Sequence, residues 1–299
     1  MLKLLRQIIP FLAIVRPVFW ISDSTNIELS FFLSLSLALW IIPDDCASVM
    51  SLKFWKCLKR YFSSSSKLRK HSSKPHNLKG KSTSSQKWIT RQLKDPYVKR
   101  AREESYRCRS AFKLVEIDDR FDLLRPGSVV IDCGAAPGSW TQVAVERVNA
   151  AGTAKSQKEG CVISIDKQFM VPVKGAITLA TMDFTKGQTQ NKVLEVLSGR
   201  KADIILSDMA PNTTGIRSMD HDLIIELCFS VLEFSRTVLR PDGALLCKLW
   251  QGHEQKELEQ RLGDVFQTVK IIKPQASRGD SAEIFLLGKG YTPNKSHIQ

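Results

Sequence analysis

A stretch near the middle of the chain, Val129–Trp140, reads VVIDCGAAPGSW and limits the possible folds more than any other. Val129, Val130 and Ile131 are β-branched and apolar without alternation, which suits a strand buried on both faces of a parallel sheet. The run ends in Asp132. A turn rich in Gly, Ala and Pro follows, where backbone can approach a ligand closely, and a helix opens at Ser139 and Trp140. Strand, small-residue turn and helix together are how a doubly wound α/β sheet builds a ligand site at the carboxyl end of its first strand. The spacing is not that of a pyrophosphate binder. The third glycine is missing, and Pro137 stands where a backbone N–H is wanted. A nucleotide-like ligand without a pyrophosphate fits this loop, S-adenosylmethionine being the candidate; the alternative is a tight turn that holds nothing.

The rest of the pattern supports an α/β domain from residue 95 to 290. Residues 95–100 and 105–120 read as helices, with Ala111, Leu114, Val115 and Ile117 on the apolar side. Strands are expected at 129–132, 161–165, 177–182, 203–207, 244–250, 267–273 and 282–288. Helices are expected at 138–149, 189–198, 220–239 and 254–266. Pro241-Asp242-Gly243 reads as a turn before the fifth strand, and residues 149–160 as a polar surface loop. Alternating β and α units imply a Rossmann-like, seven-stranded, mostly parallel sheet covered on both faces. The last two strands are joined too closely for a crossover helix, so the final strand should run antiparallel.

Charge divides the chain. Residues 50–94 hold thirteen basic residues and no acid, and account for most of the net +14. This Ser- and Lys/Arg-rich segment, with Leu52, Trp55, Leu58, Tyr61 and Phe62 at near-helical spacing, reads as a mitochondrial transit segment followed by a flexible linker; a basic arm touching RNA has the same composition. Residues 1–49 carry two apolar stretches, Ile8–Ile21 and Leu29–Ile42, the second too short for a firm membrane span, and form an extension of doubtful status. Residues 291–299 are a tail. The domain itself is nearly neutral, so any basic binding surface on it is local. Seven cysteines, none in a CxxC pair, fit scattered reduced thiols rather than a zinc site or disulfide framework.

Several polar residues sit where chemistry is done. Asp166 ends the second strand, where an acid can accept from ribose hydroxyls, and Asp183 follows the third, where an acid can accept from an adenine amino group. Either one alone is as readily a turn or helix cap. Asp208 leads the turn LSDMAPNTTG after the fourth strand. Lys248 interrupts the apolar run ALLCKLWQG of the fifth, and a lysine there either faces solvent at an edge or needs a partner. Lys113 lies on the helix of YRCRSAFKLVEI, and Glu283 opens the last strand in SRGDSAEIFLL.

These segments, YRCRSAFKLVEI, VVIDCGAAPGSW, LSDMAPNTTG, CKLWQG and SRGDSAEIF, taken in this order over about 95–288, closely resemble the FtsJ/RrmJ family of ribosomal-RNA 2′-O-methyltransferases. The resemblance implies a Rossmann-like methyltransferase fold and the cofactor S-adenosylmethionine. It implies a catalytic set of Lys113, Asp208, Lys248 and Glu283, and cofactor contacts at Gly134, Pro137, Gly138, Ser139, Trp140, Asp166, Asp183 and Asp208. With the transit-like leader it implies a mitochondrial matrix enzyme, a monomer without metal or membrane insertion of the mature domain. Its partner would be mitochondrial large-subunit rRNA or a ribosomal particle, and its target a uridine of the peptidyl-transferase region. A relative acting on tRNA more often shows an acid where Asn212 stands. A tRNA methyltransferase, or an assembly factor whose catalysis is dispensable, are the competing readings. Lys248 is expected to act as the base or as a charged group orienting the hydroxyl. Lys99, Arg100, Arg102, Arg107 and Arg109, with Arg217 and Arg278 as additions, are expected to grip RNA.

Overall fold

The computed structural model describes residues 80–293. Three helices, α1 (Thr83–Lys94), α2 (Pro96–Glu103) and α3 (Ala111–Phe121), precede the strand β1 (Val129–Cys133). Then come α4 (Ser139–Arg147), β2 (Cys161–Asp166), β3 (Ala176–Ala180), α5 (Gly187–Leu197) and β4 (Ala202–Ser207). The chain continues through α6 (Arg217–Val238), β5 (Leu239–Trp250), α7 (Gln255–Gly263), β6 (Phe266–Ile272) and β7 (Glu283–Tyr291). The apolar stretches of residues 1–49, residues 50–79 of the basic segment, and residues 294–299 of the tail lie outside the described residues. Among the described residues no helix is long and apolar enough to cross a membrane.

The strands form one sheet in the order β3-β2-β1-β4-β5-β7-β6. All neighbours are parallel except β7, which runs antiparallel to both β5 and β6 and is inserted between them. The antiparallel last strand expected from the short connection is therefore present. Its insertion makes β5 an interior strand. Successive residues alternate faces in a strand, and two cores result. Ile131, Ile163, Ile205, Leu245 and Leu286 belong to one, together with α5, α6 and α7 residues. Val130, Val162, Ile204, Leu246 and Phe285 belong to the other, with Leu114 and Ile117 of α3 and Trp140 and Val143 of α4. Both faces of the central strands are thus covered, as their unbroken apolar runs require.

The structure departs from the sequence pattern in three places. Residues 83–94, read as part of a flexible linker, form α1, capped by the Ser82 side chain accepting from the amide of Ser85 at 3.2 Å. The helix expected over 105–120 begins only at Ala111, because Ser105 takes a left-handed φ of 60° and the chain turns there. Pro241-Asp242-Gly243 is not a turn ahead of the strand. β5 already pairs with β4 at Leu239, and the register shifts between Ala202 and Ile204 to take up the extra residues, Asp242 having a φ of 61°. In keeping with the expected elements, residues 167–175 link the parallel strands β2 and β3 without a helix, and Arg107 donates to the carbonyls of Val171 and Pro172 in that link. The expected loop at 149–160 is organised by the buried Asn149, whose amide donates to the Ala154 carbonyl at 3.0 Å and whose carbonyl accepts from the Ala154 N–H.

Two polar features anchor the face that carries α3 and α4. The first is a charged knot. Asp95 caps α2 by accepting from Tyr97 N at 3.0 Å, and its carboxylate is paired with Arg109, which also donates to the carbonyl of Ala276. Glu116 of α3 accepts from the amide of Ala276 and from the hydroxyl of Tyr97, both at 3.1 Å. Helices α2 and α3 are thereby tied to the connection between β6 and β7. The second is Asp132, wholly buried on β1 beneath α4. Its Oδ2 accepts from Thr141 at 2.7 Å and its Oδ1 has no partner. Burial pushes this carboxyl up to about 7, with the nearby Asp208 and Asp166 carboxylates adding to the shift against the Thr141 hydrogen bond.

Replacing Arg109 by Ala leaves the buried Asp95 carboxylate with Arg278, at 3.6 Å, as its cationic partner, and should lower the unfolding free energy by about 2 kcal/mol in urea titration. Asp132 gives a pH signature. The folded carboxyl keeps its proton up to about pH 7, whereas an unfolded one loses it near 3.8. The native state therefore binds the extra proton across that window, and stability falls as pH rises through it. Asp132→Asn removes the titration, so the parent should lose a few kcal/mol relative to the variant between about pH 4 and pH 8. Parallel pH profiles for the two proteins in urea titration would contradict this account.

Candidate active site

A cavity of about 690 Å³ opens at the carboxyl edge of the parallel strands. Gly134 and Ala136 line it from the loop after β1, Asp166, Lys167 and Gln168 from the end of β2, and Asp183, Phe184 and Thr185 after β3. Residues 208–212 after β4 and Leu223, Glu226, Leu227 and Ser230 of α6 close the other side. The wall combines four carboxylates with one lysine and a set of apolar side chains. Such a site suits a cationic ligand with a flat apolar part.

The backbone explains which ligands it excludes. Gly134 N and Ala135 N both donate to the Ile165 carbonyl, at 2.9 and 3.1 Å, Gly138 N donates to Ala135 O, and Pro137 has no N–H. Ala136 N donates to Asp166 Oδ2 at 2.8 Å. No amide in 134–138 is left to cradle phosphates in the manner of a dinucleotide loop. The first-turn amides of α4, from Ser139 onward, are the donors that lack an intrahelical partner. Gly134 is required sterically: at φ 78° a Cβ would stand 2.6 Å from Met209 Cγ and 2.8 Å from Met209 N. The loops after β1 and β4 therefore touch, as the hydrogen bond from Asp208 N to Cys133 O also shows.

Beside this cavity four charged side chains converge. Lys248, in the interior strand β5, is 9% exposed. Its Nζ donates to the Asp208 carbonyl and, at 2.7 Å, to Asp208 Oδ1. Ser110, just before α3, donates to Asp208 Oδ2 at 2.7 Å. Burial by itself raises the Asp208 carboxyl, but the Lys248 and Lys113 cations, with hydrogen bonds from Lys248 and Ser110, hold it below its usual range. Lys113 of α3 donates to Glu283 Oε2 at 2.8 Å, and Ser277 donates to Glu283 Oε1 at 2.8 Å. Register accounts for the meeting. Lys248 pairs with Phe285 and Trp250 with Glu283, so all four lie on the sheet face covered by α3.

Lys113, Asp208, Lys248 and Glu283 thus form two ion pairs on one face, and Gly134, Asp166, Asp183 and Asp208 line the cavity. Asp166 accepts from Ala136 N and Gln168 N, bridging two loops. Asp183 accepts from the hydroxyl and amide of Thr185, and these hydrogen bonds lower its carboxyl from the usual range. Pro137, Gly138, Ser139 and Trp140 are not among the lining residues. Trp140 is buried against Phe285, and its indole N–H donates to the Ser110 carbonyl at 2.9 Å. Ser139 is buried and accepts from the thiol of Cys108. The side chains of Ser139 and Trp140 are packed into the core behind the loop, and Pro137 is exposed.

Two of the arginines expected to grip RNA are instead structural. Arg109 is held in the knot with Asp95, and Arg107 donates to the carbonyls of Pro137, Val171 and Pro172, clamping the loops after β1 and β2 together. Lys99 and Arg100 are exposed and paired with Glu103 and Glu104 one turn on, and Arg278 leans on Asp95 at 3.6 Å. Ser110 and Ser277, which fix the two carboxylates, had no signal in the sequence beyond lying beside charged motifs. Among the described residues one group, the exposed Asp222 and His253 with the half-buried Glu254, brings metal-ligand atoms within 4.8 Å of one another.

The chain is similar to known methyltransferases over this whole region. The family described as FtsJ-like methyltransferase matches residues 106–291. "rRNA methyltransferase 2, mitochondrial" of Drosophila melanogaster is 51% identical over 217 residues, covering 73% of this chain and 87% of the relative. "Ribosomal RNA large subunit methyltransferase E" of Roseobacter denitrificans is 46% identical over 71% of this chain and 88% of its own length. The crystal structure of a ribosomal RNA methyltransferase from Plasmodium falciparum superposes with a TM-score of 0.54 at 31% identity, over 62% of this chain and 98% of that one. The acidic cavity, the loop without free amides and the paired lysines are thus built on a shared framework, and the chain belongs to the FtsJ-like methyltransferase family.

Proposed function

We propose that this protein transfers a methyl group from S-adenosylmethionine to a ribose 2′-oxygen of mitochondrial large-subunit rRNA, at a uridine of the peptidyl-transferase region. The observation that carries this reading is the Asp208–Lys248 pair at the lip of an acidic cavity. The relatives named for rRNA methylation support the acceptor. The mitochondrial name of the Drosophila relative and the basic leader support the matrix as location.

The residues fit the cofactor. Gly134 lets the loops after β1 and β4 close against each other at the cavity wall, and four carboxylates favour a cation. Asp183 has a free oxygen for the adenine amino group, Asp166 accepts from ribose hydroxyls, and Phe184, Leu223 and Leu227 provide the apolar walls. Pro137 and Gly138 lead into the α4 amides of Ser139 and Trp140, which suit a carboxylate. When bound, the cofactor supplies a sulfonium methyl, already activated for attack by oxygen.

The protein then has to orient the hydroxyl and deal with its proton. Lys248 is held by Asp208 through two of its three donors, leaving one for the substrate oxygen. Paired with the Asp208 carboxylate at 2.7 Å, Lys248 serves as a cation that orients the hydroxyl and stabilises the charge developing on it. The hydroxyl proton passes to water as the new bond forms. Lys113 and Glu283, fixed by Ser277, keep a second charge pair beside the first and hold the acceptor ribose in place.

In purified protein, Lys248→Ala should lower methyl transfer by at least about a hundredfold while donor affinity stays within a few-fold. Asp208→Ala should lose both transfer and donor affinity. Near-parental transfer in either variant overturns the assignment. An ascending limb in the parental pH–rate profile that vanishes in Lys248→Ala would instead make Lys248 the base. Mapping ribose methylation on mitochondrial large-subunit rRNA with and without the protein should show one site lost. Methylation of tRNA in its place would overturn the acceptor.

A further inference from the structure

Helix α1 buries none of its twelve residues. An isolated helix of this length is marginal in water, and helices in proteins are normally held by packing an apolar face. Contact with the domain is slight: Gln86, Ile89, Thr90 and Gln92 are half-buried, and Arg91 lies 3.9 Å from Asp280 in an exposed pair. The outward side has a definite chemistry. Trp88 is 57% exposed, unusual for so large an aromatic. Lys81 lies two turns before it and Arg91 one turn after it, with the hydroxyls of Ser84 and Ser85 between. Lys87, Arg91 and Lys94 make a second stripe beside the first. Residues 80–94 contain no acid.

We propose that α1 is an RNA-binding arm, in which Trp88 stacks on an unpaired base of the rRNA substrate and the flanking lysines and arginine hold its backbone phosphates. This rests on rRNA being the acceptor. A polyanion matches a helix with cations on two stripes and no acids, and an exposed indole between cations and hydroxyls is a stacking platform of the kind that binds single-stranded segments. Position supports it too. Asp280, beside Arg91, lies in the connection that carries Ser277 and leads into Glu283, so the arm stands next to the mouth of the catalytic face. The arm supplies the grip that Arg107 and Arg109, turned inward, do not.

The test uses the full chain, transcribed mitochondrial large-subunit rRNA as probe, and binding measured over a range of KCl. Lys87→Glu with Arg91→Glu should weaken RNA binding at least tenfold and make the slope of log K against log salt shallower by about two. Trp88→Ala should weaken it about tenfold with the slope unchanged. Melting temperature and S-adenosylmethionine affinity should stay at parental values in both, since α1 buries nothing and lies outside the cavity. Unchanged RNA affinity and salt slope overturn the proposal. So does normal binding of bare rRNA with loss of binding to ribosomal particles, which would make the partner a protein. A parent that binds the rRNA through α1 but transfers no methyl group would leave the arm standing and overturn the reaction instead.

Discussion

An ammonium group in the interior of a sheet is tolerated only if a negative charge and hydrogen-bond acceptors meet it there, and the architecture around Lys248 is organised to provide them. β5 is an interior strand because β7 is inserted beside it, so Lys248 has no route to solvent at an edge. Asp208 reaches it because β4 and β5 are parallel neighbours that end at the same edge. The pair is expensive to assemble and costly to break from one side, which explains why so many surrounding contacts converge on it. Ser110 takes the second oxygen of Asp208, and its carbonyl takes the indole of Trp140, so the turn before α3 links the carboxylate to the start of α4 behind the loop after β1.

The same logic extends to the second pair. Glu283 is placed by Ser277, Ser277 lies in the connection between β6 and β7, and that connection is pinned to α2 and α3 by Arg109 and Glu116. Residues far from the cavity therefore set the position of a carboxylate beside it. A loss of the Asp95–Arg109 pair is felt as stability, whereas a loss of Ser277 would be felt as misplacement of one group. The arginines of YRCRS look like a nucleic-acid motif in one dimension. In three dimensions they fasten the loops around the cavity and the ion pairs, and the cationic surface proposed to meet RNA lies two helices before α3, on α1.

The donor side of the site follows from backbone bookkeeping rather than from any one side chain. A loop whose amides are all used internally cannot hold a pyrophosphate, and carboxylates along the wall disfavour anions further. The strand ends contribute acids at Asp166, Asp183 and Asp208, which both brace the loops and face the cavity. Asp132, one layer below, stays protonated to about pH 7 chiefly because it is buried, the Asp208 and Asp166 carboxylates adding to the shift.

Much of this was legible in one dimension. The β-branched run before Gly134, the acids at successive strand ends and the short link ahead of the last strand determined an α/β sheet with a ligand edge, because strand burial and connection length act locally and leave periodic marks. Lys113, Asp208, Lys248 and Glu283 were identifiable as a set through the motifs around them. Other features depended on tertiary structure. Whether Lys248 sits inside or at an edge turned on where β7 inserts. Whether Trp140 faces ligand or core turned on the position of Phe285. The inward turn of Arg107 and Arg109, the start of α3 at Ala111 and the serines that hold the carboxylates were equally invisible, since each depends on which distant backbone groups come within hydrogen-bond reach. Sequence determines which groups are present and how each segment prefers to run; only the packed fold decides which charges become neighbours, because their partners lie up to 170 residues away along the chain.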